Sequence, residues 1–594
     1  MEIGLERDVG SKKWVYDSSV DYHCRIPLRA STGGWKAALF IIGIEFSERL
    51  SYFGIASNLI TYLTKILHQE VKVAAKNVNN WLGVTTVMPL VGGFLADSYM
   101  GRFPIILISS IIYLAGLSLL TLSEFLPALK PATCTTQPCT HNPMRAHEVA
   151  FFVAIYLVSL GTGGHKPSLE SFGADQFDEQ HTEERKQKIS FFNWWYFGLC
   201  SGVILGVTVV VYVQDYVSWG MAQSILTAAL ALAIILLLLG TPYYRYMVPK
   251  GSPLTPMLQV FVAAMAKRKL PLPSNACELY EAPKSGKLGD RILCHTNKFR
   301  FLDKAAILEA DGKESQSTMY KNPWRLATVT QVEETKLILS LTPIWLSCLI
   351  FGICINQGIT FFIKQGSTMD RKMGPHFEMP PASLFGFSAF FMVILISIYD
   401  KILVPSIRRV TGNERGISIL QRIGIGMFFS VVCMITAALT ERKRLNIAKK
   451  HTKLGSLNGP LPMSVFWLLP QFLLIGVTDV FTLVGLQEYF YDQVPDNMRS
   501  LGIALYLSVI GVSSFLSSLL ISIVDKITTG RGHPWFAKSI NGSRLDLFYW
   551  LLGTMGALNL GIYMYVASKY SYKNVGKRVA TEDSCNGEVA DLGA

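Results

Sequence analysis

Runs of about 20 mostly apolar residues, long enough to cross a bilayer as one helix, recur throughout this chain and leave no room for a soluble domain as its body. Twelve are read, near 36–66, 77–97, 103–126, 148–168, 190–213, 219–240, 333–361, 382–400, 416–439, 463–490, 500–525 and 545–568. Half of the 594 residues are hydrophobic and only 16% are charged. The chain therefore reads as an all-α membrane protein. A hydrophilic stretch, 241–331, divides the runs six and six, as a linker between two bundles would, with a lateral helix expected around 322–332. The expected organisation is a segment 1–35, a six-helix bundle 36–240, the linker 241–331, a second bundle 332–568 and a tail 569–594. The net charge of +13 sits in loops and forms no folded basic face, so no nucleic-acid partner is expected. Basic loops mark the cytosolic side, which places the first segment, the linker and the tail there. The first 34 residues are polar and carry no cleavable signal pattern. One loop resists the charge rule: 441–453, ERKRLNIAKKHTK, is strongly basic, yet the count of runs puts it on the far side.

Charge inside the runs points to function. The first contains IIGIEFSERLSYFG, where Glu45, Glu48 and Arg49 fall at i, i+3 and i+4 on one helix face. An ionisable side chain at mid-helix costs about 2.5–3.5 kcal/mol on insertion scales, and such groups face a protein interior or watery cavity, where many carry ions or protons. Two acids beside one base leave a carboxylate without its own cation, a place for a proton; the alternative is a buried structural ion pair. Lys166 closes the fourth run, either to pair with a first-run carboxylate, to hold an anionic group, or to snorkel to the interface. Glu488 ends the tenth run as a helix-end carboxylate. The first, fourth, seventh and tenth runs are polar enough to line a shared interior. Cys134 and Cys139 form a disulfide candidate in the loop CTTQPC, whereas Cys200, Cys348, Cys354 and Cys433 read as packing residues. No H-E-x-x-H and no metal-ligand spacing occur, so neither an enzyme nor a metal is expected. Asn541-Gly-Ser543 is a glycosylation acceptor pattern in the last far-side loop.

Short motifs then narrow the class. Asp97-Ser-Tyr-Met-Gly101-Arg102 resembles the D-x-x-x-G-R short-loop motif of the major facilitator superfamily, which latches bundles on the cytosolic side. Gly164-His-Lys166-Pro167, Phe172-Gly-Ala-Asp175-Gln-Phe-Asp178 and Ser190-Phe-Phe-Asn-Trp-Trp-Tyr196, with Glu45-x-x-Glu48-Arg49, resemble the plant branch of the proton-coupled nitrate and peptide transporter family from 41 to about 569. The resemblance implies the major facilitator fold, twelve helices in two bundles, and symport of a small solute with protons across a plasma or vacuolar membrane, with no cofactor beyond the proton gradient. It assigns proton coupling to Glu45, Glu48 and Arg49 and matches Lys166 and Glu488 to family positions. Proton coupling is therefore expected of all five, and substrate contact of Arg49, Tyr52, Lys166, Asn356, Gln357 and Glu488, where Asn356, Gln357 and Tyr52 rest on their own chemistry. Asp97, Gly101, Arg102, Asp175 and Asp178 become gating or structural residues; for the last two, the local reading is helix capping or pairing with Arg185 and Lys186.

Departures bear on the cargo. Peptide-carrying relatives read F-Y-x-x-I-N-x-G in the fifth helix, but here Cys200 replaces the amide and Phe53 replaces one tyrosine of a first-helix pair. The seventh-helix region that supplies a histidine in a nitrate carrier reads Cys354-Ile-Asn356-Gln357. The expected cargo is a small, anionic solute: nitrate, a short peptide, a hormone or another carboxylated metabolite. The alternative, a receptor that senses such a solute without moving it, would use the same residues. The partners expected are the solute, protons and lipid; the oligomeric state stays open.

Overall fold

A computed structural model describes residues 14–570 except 18, 127–142, 179–180, 250, 253, 273–278, 281–294, 309–321, 376, 412–416, 454–459, 495–498 and 538. Cys134 and Cys139 lie outside the described residues. The chain divides into two compact units: Met1–Ser252, Pro343–Asp492 and Met498–Ser568 form the first, and Pro253–Thr342, Gln493–Asn497 and Lys569–Ala594 the second. Helices of both expected bundles thus belong to one unit.

In the first unit, α1 (Gly34–Ala56) and the short α2 (Leu59–Lys65) are followed by α3 (Val71–Leu95), α4 (Arg102–Phe125), α5 (Pro143–Ala174), α6 (Thr182–Leu205), α7 (Val211–Tyr216) and α8 (Trp219–Leu239). Among the described residues, nine helical segments are long and apolar enough to cross a membrane, or ten if a bent pair counts as one span. The first and second runs, 36–66 and 77–97, are helical too but fall outside that set, because α1 carries Glu45, Glu48 and Arg49 and α3 carries Lys72, Lys76 and three asparagines. The bent pair is the seventh run: Val329–Ser347 and Leu349–Gly366 meet at 44°. Single π turns interrupt other spans at Ala96–Met100, Gly206–Val210, Tyr399–Leu403 and Asp479–Leu483. Such turns are rare and cluster at functional sites.

The segment before α1 is tied down. Ser19–Val20 pairs antiparallel with Tyr246–Met247, and Arg29 reaches Asp178 at 2.9 Å and Glu184 at 2.6 Å. Burial works against the Arg29 charge, but the hydrogen bonds it donates to Asp178 and Glu184 outweigh that and hold the pKa above its ordinary value.

The second unit contains α9 (Leu254–Ala266), packed through Val260, Ala263 and Ala264 against Leu302, Ala305 and Ala306. No separate lateral helix occupies 322–332. Thr328 and Gln331 cap each other's backbone N–H at 3.2 and 3.1 Å, so helix begins at Val329 and runs on as α10 (Val329–Ser347). His295, Asp303 and Glu333 come within 4.8 Å of one another, a spacing that suits a metal. Lys336 takes the cation's place instead, 2.6 Å from Asp303 and 2.7 Å from Glu333.

Candidate functional site

Helical spacing in α1 delivers the cluster that its sequence implies. Arg49 Nε lies 3.0 Å from Glu45 Oε1, and Arg49 Nη2 lies 2.5 Å from Glu48 Oε2. Glu48 is fully buried and Glu45 nearly so. The pairing is one of distance more than of aim, since neither oxygen of Glu48 receives a well-directed hydrogen bond from the described residues. A wholly buried carboxylate without such donors is costly unless it is paired or protonated. One guanidinium shared between two acids is therefore a site with room for one proton.

Lys166, from α5, faces this cluster without joining an ion pair among the described residues. Its ammonium sits 4.3 Å from the centroid of the Tyr52 ring, which Arg49 approaches at 5.8 Å. Tyr52 is itself stacked on the buried Trp81 at 5.8 Å. The aromatic face attracts both cations by its quadrupole, while Arg49 stays paired with its two carboxylates. Close packing fixes Arg49: a side chain at Gly202 of α6 would put its Cβ 2.6 Å from the Phe46 carbonyl oxygen and 2.9 Å from Arg49 Cβ. His165, beside Lys166, is buried and bonded through Nε2 to Ser110 Oγ at 2.6 Å, so it anchors the helix.

Sequence reasoning passed over two further acids within the spans, Glu170 in α5 and Asp479 in the tenth span. Glu170 follows Lys166 by one helical turn, and its charge acts on both Glu45 and Arg49. Asp479 stands in the π turn of the tenth span with no cation in ion-pairing range among the described residues, and its Oδ1 has no hydrogen-bond donor there. The signal for Asp479 was present in LLIGVTDVFTLVG, a lone acid within an apolar run.

The C-terminal candidates are engaged elsewhere. Asn356 is buried and donates to Ser514 Oγ at 3.0 Å; Gln357 is buried and donates to its own helix at the Ile353 carbonyl. Both satisfy the break between α11 (Leu349–Ile355) and α12 (Phe361–Gly366). Glu488, about a third exposed, pairs with Arg422 at 3.2 Å.

The residues of the D-x-x-x-G-R and GADQFD motifs form two ion-pair nodes. Arg102 joins Asp97 at 3.3 Å to Asp175 at 2.5 Å, tying the α3–α4 turn to the end of α5. Gly101 makes that turn possible at φ 85°, a backbone region costly for other residues. Asp178 meets Arg29, while Lys186 pairs with Glu183, so the acids of the GADQFD segment take distant partners in place of Arg185 and Lys186. Proximity in sequence does not bring those bases round to the acids.

At the other end the two halves are fastened together. Lys72 of α3 reaches Asp525 of α18 (Arg499–Gly530) at 3.1 Å, and Asn79 donates to Ser517 Oγ at 3.0 Å. Lys364 donates to Thr64 Oγ1 at 3.0 Å, and Ser383 to the Val207 carbonyl at 3.0 Å.

Residues 103–536 match the model of the POT family. The chain belongs to the POT family. Among its relatives, NRT1/ PTR FAMILY 5.7 and 5.6 of Arabidopsis thaliana are each 57% identical to it, over 95% of this chain and 93% and 96% of theirs. Its fold is that of an auto-inhibited POT family peptide transporter, with a TM-score of 0.66 at 18% identity over 92% of this chain and 99% of that one. A POT family transporter in complex with 5-aminolevulinic acid aligns with a TM-score of 0.60 at 12% identity, over 91% of this chain and 99% of that one. This POT family member is accordingly an all-α, multi-pass membrane transporter with the major facilitator fold, and its relatives are transporters, not enzymes.

Proposed function

We propose that this chain is a proton-coupled symporter that moves a small anionic solute across a membrane by alternating access. The observation that carries the reading is the buried Glu45–Arg49–Glu48 group, in which one cation serves two carboxylates, beside a lysine that pairs with no carboxylate among the described residues. A proton on Glu48 or Glu45 loosens Arg49 from that partner. Arg49 and Lys166 then meet an anionic group of the solute. With proton and solute both aboard, no unpaired charge is buried, and the two halves can exchange which end they close. The fastened end, held by Lys72–Asp525 and Lys364–Thr64, corresponds in this scheme to a carrier closed toward the side away from the cytosol. A carboxylate or comparable small anion fits two cations beside an aromatic ring. The solved relative that holds 5-aminolevulinic acid is consistent with a cargo of that size.

The deciding experiment is uptake of nitrate, dipeptides and carboxylated hormones into proteoliposomes at two external pH values. One of these solutes should enter faster from the acidic side. Saturable binding with no flux at either pH would replace the symporter with a solute-sensing receptor.

A further inference from the structure

Helix α15 (Ile419–Lys453) is 35 residues long, which at 1.5 Å per residue comes to about 52 Å, well beyond the roughly 30 Å of bilayer hydrocarbon. Its excess is the basic stretch that resists the charge rule. The fold sorts those charges into two sets. Glu441 and Arg444 turn inward, paired at 2.7 Å and wholly buried, with Gln365 donating to Glu441 and Arg444 donating to Thr368 and Asn541. Asn541, the glycosylation pattern's asparagine, is thereby held through its Oδ1.

Arg442, Lys443 and Lys450 turn outward. With Leu439, Asn446 and Ile447 they line a groove of about 380 Å³ that contains no carboxylate. Steps of three and four residues put all six on one face of the helix. Arg442 and Lys450 make no ion pair or hydrogen bond with any described residue. Lys443 is already positioned, its ammonium 3.2 Å from the centroid of the Trp467 ring. Trp467, Phe466 and Leu439 are all exposed large apolar side chains. Tryptophan beside basic side chains, directly where an apolar run ends, is the composition of a membrane interface. Along the helix Leu439 comes first, next to the apolar run, then Arg442, Lys443 and Asn446, then Ile447 and Lys450, so a basic face begins where the apolar run ends and complements a lipid phosphate.

We propose that this groove binds the phosphate headgroup of an anionic phospholipid in the leaflet surrounding the end of the helices away from the cytosol. Arg442 and Lys450 hold the phosphate, Asn446 donates to it, and Leu439, nearest the apolar run, lies along the start of the acyl chain. The lipid supplies the negative charge that this outward face of the helix lacks.

The test uses the full-length protein in detergent, titrated with phosphatidylglycerol and followed by thermal unfolding and by native mass spectrometry of retained lipid. Phosphatidylglycerol should raise the unfolding temperature and phosphatidylcholine should not. The Arg442→Gln, Lys450→Gln double variant should need about tenfold more lipid for half the effect. Arg442→Lys, which keeps the charge, should lose less than the double variant, and Lys449→Gln, a neighbour outside the groove, should respond as the parent does. Equal retention by parent and double variant would overturn the proposal. So would an equal shift from inorganic phosphate or an acidic oligosaccharide, because the ligand would then be a soluble anion.

Discussion

Replacing Glu48 with Gln tests the coupling mechanism at its centre. In the structure one guanidinium lies 3.0 Å from Glu45 and 2.5 Å from Glu48, so one cation serves two carboxylates, and the proposed cycle places one proton there. One proton moved with a monovalent anion makes each pH unit worth about 1.36 kcal/mol, a tenfold accumulation of solute at equilibrium. Removing one partner of a buried pair ordinarily costs about 3–5 kcal/mol, because the other charge is stranded. Here Arg49 keeps Glu45, so Glu48→Gln should fold. With the proton's place gone, proteoliposomes held one pH unit more acidic outside should accumulate solute about tenfold with the parent and not at all with the variant. Exchange of labelled for unlabelled solute at equal pH should persist in both. A Glu48→Gln carrier that still concentrates solute tenfold, with the same dependence on pH, would refute the reasoning.

Lys166→Ala should leave the fold intact, since its ammonium meets only the Tyr52 ring among the described residues, but should weaken solute binding by about tenfold to a hundredfold, the value of a charged hydrogen bond, read from KM or from direct binding. Lys72→Asp alone should favour separation of the outer ends of α3 and α18, and the exchange Lys72→Asp with Asp525→Lys should restore them; because the pair is a quarter exposed, the shift should be at most about fivefold in population, measured by spin-label distances. Gly202→Ala should lower thermal stability by about 1–3 kcal/mol and slow uptake, as its Cβ would press on α1 at Phe46 and Arg49; unchanged melting in detergent would show that α6 can give way.

What the sequence determined by itself was what local chemistry determines. Apolar runs specify membrane helices because a bilayer gives backbone groups no other partner. Glu45, Glu48 and Arg49 were legible as a group because three- and four-residue spacing is enough to join side chains on one helix. The break in the seventh run and the two acids Glu170 and Asp479 had only weak local signals, a proline here and a single carboxylate there. Tertiary structure alone decided the partners that lie far apart in the chain. It sent Asp175 to Arg102 and Asp178 to Arg29, bound Asn356 to Ser514 and Glu488 to Arg422, and joined Lys72 to Asp525 across 453 residues. It also turned Glu441 and Arg444 inward and Arg442 and Lys450 outward from one basic stretch. A charged side chain's role depends on which opposite charge or solvent it meets, and that is set by how the helices pack, a property no short window of residues contains.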